Sequence, residues 1–216
     1  MLVINSSIRP RGLPASLAKA FITLVGLCLC IAFSIGTFVA YAWWTDNFYI
    51  VDPGQFYRAG QQTPDRLRST IQNYGIKTVF NLRGAHPGES WYSEELRVSA
   101  GAGADHVDIA LSAAREPDLR TLEKIIDTIR YARKPILVHC LQGTDRSGLV
   151  SALYQLAVAK RPLTVAEAQL SLRFGHIPWL YQRTAAMDRS LQTYYQSSFS
   201  GPPHFGLFEG AAMGRH

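Results

Sequence analysis

The sequence predicts an α/β domain, a central, mostly parallel sheet flanked by helices, preceded by an N-terminal transmembrane helix. Three observations lead there. An uncharged apolar run of 24 residues extends from Phe21 to Trp44. Beyond it, short β-branched and aromatic runs alternate with segments whose apolar residues recur every three or four positions, and such alternation packs as a parallel sheet with helical crossovers. Hydrophobic residues make up 47% of the 216 and charged residues 18%. That is enough apolar side chain for a core and excludes disorder along the whole chain.

As a helix, the apolar run is about 36 Å long, and roughly 20 residues suffice to cross a bilayer. Tyr41, Trp43 and Trp44 close it, and amphipathic rings favour the headgroup layer. Arg9, Arg11 and Lys19 precede the run, no acid occurs before residue 45, and Asp46 and Asp52 follow. The positive-inside rule then predicts a cytoplasmic segment over 1–19, a transmembrane helix or signal anchor over 20–44, and an exported (periplasmic or extracytoplasmic) domain. Ala40-Tyr41-Ala42 also fits a signal cleavage site, although the apolar stretch exceeds the roughly 7–15 residues of a signal core. Both readings export the domain.

From Thr45 onward 19 basic residues face 16 acidic ones, too small an excess to indicate nucleic acid as a partner. Three cysteines exclude a disulfide framework. Cys28 and Cys30 lie in the apolar run, so Cys140 is alone in the polar part.

The remaining elements follow in order. Asp46–Gln62 reads as a connector with one short strand, FYRAGQ. Thr63-Pro64 reads as an N-cap with proline at the first helical position, opening a helix that ends near Gly75. Lys77–Leu82 alternates as a strand. Glu89–Ala100 is predicted helical and is broken by Gly101-Ala102-Gly103. His106–Leu111 is the next strand. Asp118–Tyr131 carries Leu119, Leu122, Ile125, Ile126 and Ile129 on one helical face. Pro135–Val138 is a short apolar strand. Ser147–Ala159 is apolar on nearly every side, so it predicts a buried helix. Thr164-x-x-Glu167 reads as a capping box, a last helix is predicted from about Pro178 to Gln196, and the Gly/Pro-rich 197–216 is predicted to be a loose tail. The predicted domain is 45–196.

One stretch carries chemistry: His139-Cys140-Leu141-Gln142-Gly143-Thr144-Asp145-Arg146-Ser147-Gly148. It leaves a buried strand and enters a helix, whose N-terminus offers unpaired N–H groups and partial positive charge. A loop wrapped ahead of it cradles a phosphate. Gly143 permits the tight turn. Arg146, six residues after Cys140, brings a planar fork to the same anion, and the positive field favours a thiolate nucleophile at Cys140. His139 is placed to orient the loop rather than to act as base. Ser147 is placed to donate to the sulfur as it leaves.

HCLQGTDRSG resembles the H-C-x5-R-S/T signature of the cysteine-dependent protein tyrosine phosphatases, in particular the compact dual-specificity branch and its bacterial relatives. Phe56–Gln61 (FYRAGQ) resembles their YRSGQ segment, and Gly75–Arg83 (GIKTVFNLR) resembles their GIKTVINLR strand. The resemblance covers about residues 48–190. It implies the dual-specificity fold and a two-step, metal-free hydrolysis of a phosphate monoester, with no cofactor. Cys140 attacks phosphorus and water releases the phosphate. Leu141, Gln142, Gly143, Thr144, Asp145 and Arg146 bind the phosphoryl group.

The general acid is open in the sequence. The family's acid loop corresponds to Ser112–Asp118, and the position 27 before the cysteine, where some bacterial relatives carry aspartate, is Ala113. The alternatives are Asp145, Asp108, Glu116 and Asp118. An Asp-Arg pair inside the loop also occurs in the myotubularin lipid phosphatases and in broad-specificity bacterial phosphatases, where that aspartate is thought to serve as the acid. Here Thr144 stands where the bacterial relatives usually carry lysine. Arg58 and Arg83 read as structural ion-pair partners or substrate contacts, and Arg173–His176 as pocket rim or structure. An exposed thiolate in an oxidising compartment is open to oxidation, and the domain has no resolving cysteine. Three functions stand: a tyrosine or dual-specificity protein phosphatase, an inositol phosphate or phosphoinositide phosphatase, and a weak phosphate-binding module. The partners expected are a phosphorylated protein or a small or lipid phosphate, and the membrane through the N-terminal helix.

Overall fold

The computed structural model describes residues 15–199. Residues 1–14 of the predicted cytoplasmic segment and 200–216 of the predicted tail lie outside the described residues. The chain forms two units, Met1–Trp44 and Thr45–His216.

In the first unit, helix α1 spans Ala15–Trp44. Its Lys19–Tyr41 stretch has a mean hydropathy of 2.4, is unburied, and is long and apolar enough to cross a membrane. Its hydroxyls turn back on the helix: Thr23 donates to the Lys19 carbonyl and Ser34 to that of Cys30. Thr37 likewise donates to the Ser34 carbonyl, so these three hydroxyls are satisfied within the helix itself.

The second unit is built on five strands: β1 (Tyr49–Asp52), β2 (Phe56–Ala59), β3 (Thr78–Asn81), β4 (Asp105–Asp108) and β5 (Ile136–His139). Their order is β1-β2-β5-β3-β4, antiparallel only between β1 and β2. Helices α2 (Pro64–Tyr74), α3 (Ser90–Gly101) and α4 (Leu119–Tyr131) supply the crossovers, and α5 (Asp145–Leu153), α6 (Leu163–Glu167) and α7 (Ala185–Phe199) follow the last strand. Successive strand residues point to opposite faces. Phe56, Phe80, Ile136 and Val138 pack with Ile125, Ile126 and Leu149 of α4 and α5, while Tyr57, Val79 and Leu137 pack with Leu67, Ile71 and Val98 of α2 and α3. Both faces of the sheet are covered, as its parallel strands require.

Local chemistry explains most element ends. Thr63 Oγ1 accepts from Arg66 N and Gly75 takes the left-handed C-cap at φ 63°. Asp118 Oδ1 accepts from Thr121 N at the start of α4.

Four elements depart from the sequence reading. β1 falls in the predicted connector, as the edge of a hairpin turning at Gly54 (φ 71°). The buried helix begins at Asp145 and widens into a π turn over Tyr154–Val158. Thr164-x-x-Glu167 is not a capping box: Pro162 precedes α6, Thr164 lies inside its first turn, and Glu167 accepts from Gln192 of α7 instead. The last helix starts at Ala185 rather than near Pro178, because the Ile177 carbonyl takes the N–H of both Leu180 and Tyr181 in a tight turn.

Candidate active site

β5 is the central strand, and the chain leaves its C-terminal end at Cys140 to form a loop ending in α5. Cys140 is 2% exposed, at the base of the loop rather than on its surface as the oxidation argument assumed. Gly143 has φ 72°, and a Cβ there would lie 2.5 Å from Gly60 N and 2.6 Å from Ala59 C. Only glycine lets the loop close this tightly on the end of β2. The N–H groups of residues 141–144 meet no acceptor among the described residues. They lead into the N-terminus of α5, an arrangement that can form an anion-binding concavity.

Arg58 holds this loop from behind. Its Nη2 donates to the carbonyls of Gly143 and Thr144, each at 2.8 Å, and its Nη1 donates to the Gln169 carbonyl at 2.8 Å. The Phe174 ring covers the guanidinium at 4.2 Å. No carboxylate pairs with Arg58 among the described residues, so it is a carbonyl clamp rather than an ion-pair partner. Burial lowers its pKa from 12.5 to about 10, which leaves it charged at neutral pH. With the loop carbonyls turned toward Arg58, the opposite edge of the peptides faces the concavity.

Arg146 Nη1 donates to the carbonyls of Leu82 and Leu111, at 3.3 Å each, at the C-terminal ends of the neighbouring strand segments. Ser147 is fully buried and its Oγ donates to the Ala59 carbonyl at 3.3 Å. His139 Nε2 lies 3.0 Å from Glu95 Oε1, which His106 Nε2 also meets at 2.8 Å. Burial drives the Glu95 pKa up, but the hydrogen bonds from His106, His139 and Gln61 outweigh it and hold it down at about 2. The residue preceding the cysteine is thus fixed by an ionised carboxylate beneath the sheet's end.

The four acid candidates separate. Asp118 is spent as the α4 cap. Glu116 pairs with Arg189 of α7. Asp108 accepts from Asn81 at 2.8 Å and from Tyr92 at 2.6 Å. Asp145 stays within the loop, where Thr144 Oγ1 donates to its Oδ2 at 3.2 Å. Its Oδ1 lies 2.6 Å from His176 Nδ1, and His176 Nε2 lies 2.9 Å from Asp188 Oδ2. Burial lowers the pKa of His176, but the two carboxylates prevail and raise it to about 9. The Asp145–His176–Asp188 chain links the loop to α7. Sequence reading placed Asp145 but not this contact, since 31 residues separate the imidazole from Asp145. Gly175, in the left-handed region at φ 83°, ends the 3-10 turn over Leu172–Phe174 and sets the direction of His176.

Comparison with known proteins bears on this geometry. The family described as "Polymorphic toxin system, DSP-PTPase phosphatase" matches residues 55–159, the segment holding β2, β5, the loop and α5. That match, over just under half of the chain, supports a domain of the cysteine-dependent protein tyrosine phosphatase superfamily over residues 55–159. This phosphatase domain shares its fold with solved structures of low identity. A DUF442 protein of Shewanella putrefaciens is similar at 19% identity and a TM-score of 0.53, over 69% of this chain and 92% of that one. P. aeruginosa TpbA is similar at 20% identity and 0.51, over 70% and 89%. The active form of Tk-PTP is similar at 17% and 0.50, over 68% and 97%. No curated protein matches the chain.

Two predictions concern the site's scaffold. Arg58→Met leaves the Gly143, Thr144 and Gln169 carbonyls without their donor, and is expected to destabilise the domain by roughly 3–5 kcal/mol in denaturant unfolding. His176 has a folded pKa raised from 6.5 to about 9, so its contribution to stability is complete below about 6.5 and is lost as pH rises through about 9. Thermal melts across that window should show a falling Tm, and His176→Gln should remove most of the slope.

Proposed function

We propose that the domain hydrolyses phosphate monoesters through a phosphocysteine, acting on phosphorylated protein side chains with tyrosine or dual specificity. The observation that carries this reading is the loop itself. The N–H groups of residues 141–144 meet no acceptor among the described residues, Arg58 fixes the Gly143 and Thr144 carbonyls, and Arg146 reaches the strand ends at Leu82 and Leu111. A solved structure of TpbA holds phosphotyrosine, which supports the substrate class.

In the first step the Cys140 thiolate attacks phosphorus. The S–P bond forms and the P–O bond to the leaving group breaks. The loop N–H groups of 141–144 and the Arg146 fork stabilise the transferring phosphoryl oxygens. The leaving oxygen needs a proton, and we assign its delivery to Asp145. A carboxylate faces each nitrogen of His176. A proton therefore lies between Asp145 and His176 whichever group carries it, and the pair enters the reaction protonated as a unit. That proton follows the leaving oxygen through Asp145. In the second step water attacks phosphorus, the S–P bond breaks, and the proton lost by water returns to the pair. Ser147, whose hydroxyl now rests on the Ala59 carbonyl, rotates to donate to the departing sulfur.

Phosphate release is the test. Cys140→Ser is expected to abolish it. Asp145→Asn is expected to slow an alkyl phosphate about a hundredfold or more, and an aryl phosphate far less, because an aryl oxide leaves without full protonation. A wild-type chain that retains phosphoester without releasing phosphate would be a binding module instead.

We further propose that α1 anchors the chain in a membrane with the phosphatase domain exported, as the charge asymmetry around the helix supports. Alkaline phosphatase fused after Ile50 is expected to be active and a cytoplasmic reporter at the same site dark. The reverse pattern would invert the topology.

A further inference from the structure

Arg83 is a second guanidinium at the site that the mechanism leaves unused. Arg146 donates from α5 to the carbonyl of Leu82, the residue joined to Arg83, so its guanidinium reaches the strand end from which Arg83 issues. The Arg83 guanidinium stacks on the Trp91 ring at 3.6 Å, its Nη1 donates to Gln61 Oε1 at 3.0 Å, and the Asn81 side chain holds its backbone N–H at 2.8 Å. One face of the fork is thus covered by an aromatic ring and one corner is fixed. Its Nε and Nη2 meet no acceptor among the described residues.

Neither Arg83 nor Arg146 has an ion-pair partner among the described residues. The nearest carboxylate in the network, Glu95, is 3% exposed and already holds His106, His139 and Gln61. Burial, and then repulsion from Arg146, pull the pKa of Arg83 below its ordinary value. Two guanidiniums that repel each other with no carboxylate paired to either favour a ligand of sufficient negative charge. The transferring phosphoryl group satisfies Arg146. The free edge of Arg83 is left for a second anion, and a stacked, planar fork suits the oxygens of another phosphoryl group.

We propose that Arg83, seated on Trp91 and oriented by Gln61, forms a subsite for a second phosphate on the substrate, beside the one that is hydrolysed. The subsite rests on the phosphatase reading above and extends it beyond protein side chains: among small and lipid phosphates, substrates bearing two neighbouring phosphates are preferred over matched monophosphates. The shared chemistry is a polyol carrying adjacent phosphates, whether free in solution or as a lipid headgroup.

The test compares kcat/KM of the full chain for an inositol bisphosphate with neighbouring phosphates and for an inositol monophosphate. Each is presented free and as the matching headgroup in phosphatidylcholine vesicles. One charge-assisted contact corresponds to a preference of about ten- to a hundredfold for the bisphosphate. Arg83→Gln is expected to bring that ratio toward one, mainly through KM, and Arg83→Lys to restore part of it, since charge returns without the fork. Trp91→Leu is expected to weaken the preference with Arg83 intact. A ratio near one for wild type in both presentations would overturn the subsite, and so would an equal loss on both substrates in Arg83→Gln. Phenyl phosphate hydrolysis, abolished by Cys140→Ser, is the control. Its absence in wild type would overturn the phosphatase reading and the subsite together, a signature distinct from a lost preference alone.

Discussion

A buried guanidinium with carbonyls in place of a counter-ion is the interaction on which the site depends. Arg58 leaves water completely and receives the carbonyl oxygens of Gly143, Thr144 and Gln169 in exchange. Carbonyl dipoles make a weaker partner than a carboxylate, so the positive charge is only partly neutralised and its field extends through the loop. A carboxylate in that place would cancel the field that an anion needs. The same bonds orient the peptides, since a carbonyl pulled toward Arg58 sends the neighbouring N–H the other way. One side chain on β2 thereby sets the shape of the loop and the sign of its potential.

Charge is distributed around the loop in layers. Behind it lies Arg58, and beside it lie Arg146 and Arg83. Negative charge is kept where it cannot reach the concavity. Glu95 is buried under two histidines, and Asp188 faces His176 from α7. Asp145 is the exception, a carboxylate within the loop, and its Oδ1 lies 2.6 Å from the imidazole of His176. The positive groups around the loop thus outnumber the carboxylates that face it.

The sequence made the Cys140–Arg146 loop and the sheet legible because each depends on neighbours in the chain. Cys140, Gly143 and Arg146 sit within seven residues, and Thr63, Gly75 and Asp118 cap helices by contacts three or four residues away. What the sequence concealed is held by distant partners. Arg58 reaches Gly143 across 85 residues, and His176 reaches Asp145 across 31. Their residue types gave no periodic signal, and Arg58 in particular reads as an ion-pair partner or a substrate contact until its carbonyl partners are known. β1 escaped notice because a four-residue edge strand has too few positions to display alternation. Glu116 and Asp118 stood beside Asp145 as alternative acids until their partners, Arg189 and Thr121, were placed.

Asn47 gives the site one more property. Its side-chain amide donates to the Gln142 carbonyl in the phosphate loop and to the Phe174 carbonyl in the turn before His176, each at 3.0 Å, and Asp46 just before it accepts from Gly60 N. The first residues of the domain are therefore bonded to the loop after β5 before the chain enters any strand. A pull on this N-terminal end of the domain would be borne first by the bonds to Gln142, Phe174 and Gly60, before any strand of the sheet yields. Mechanically, the shape of the loop is coupled to any load applied at that end.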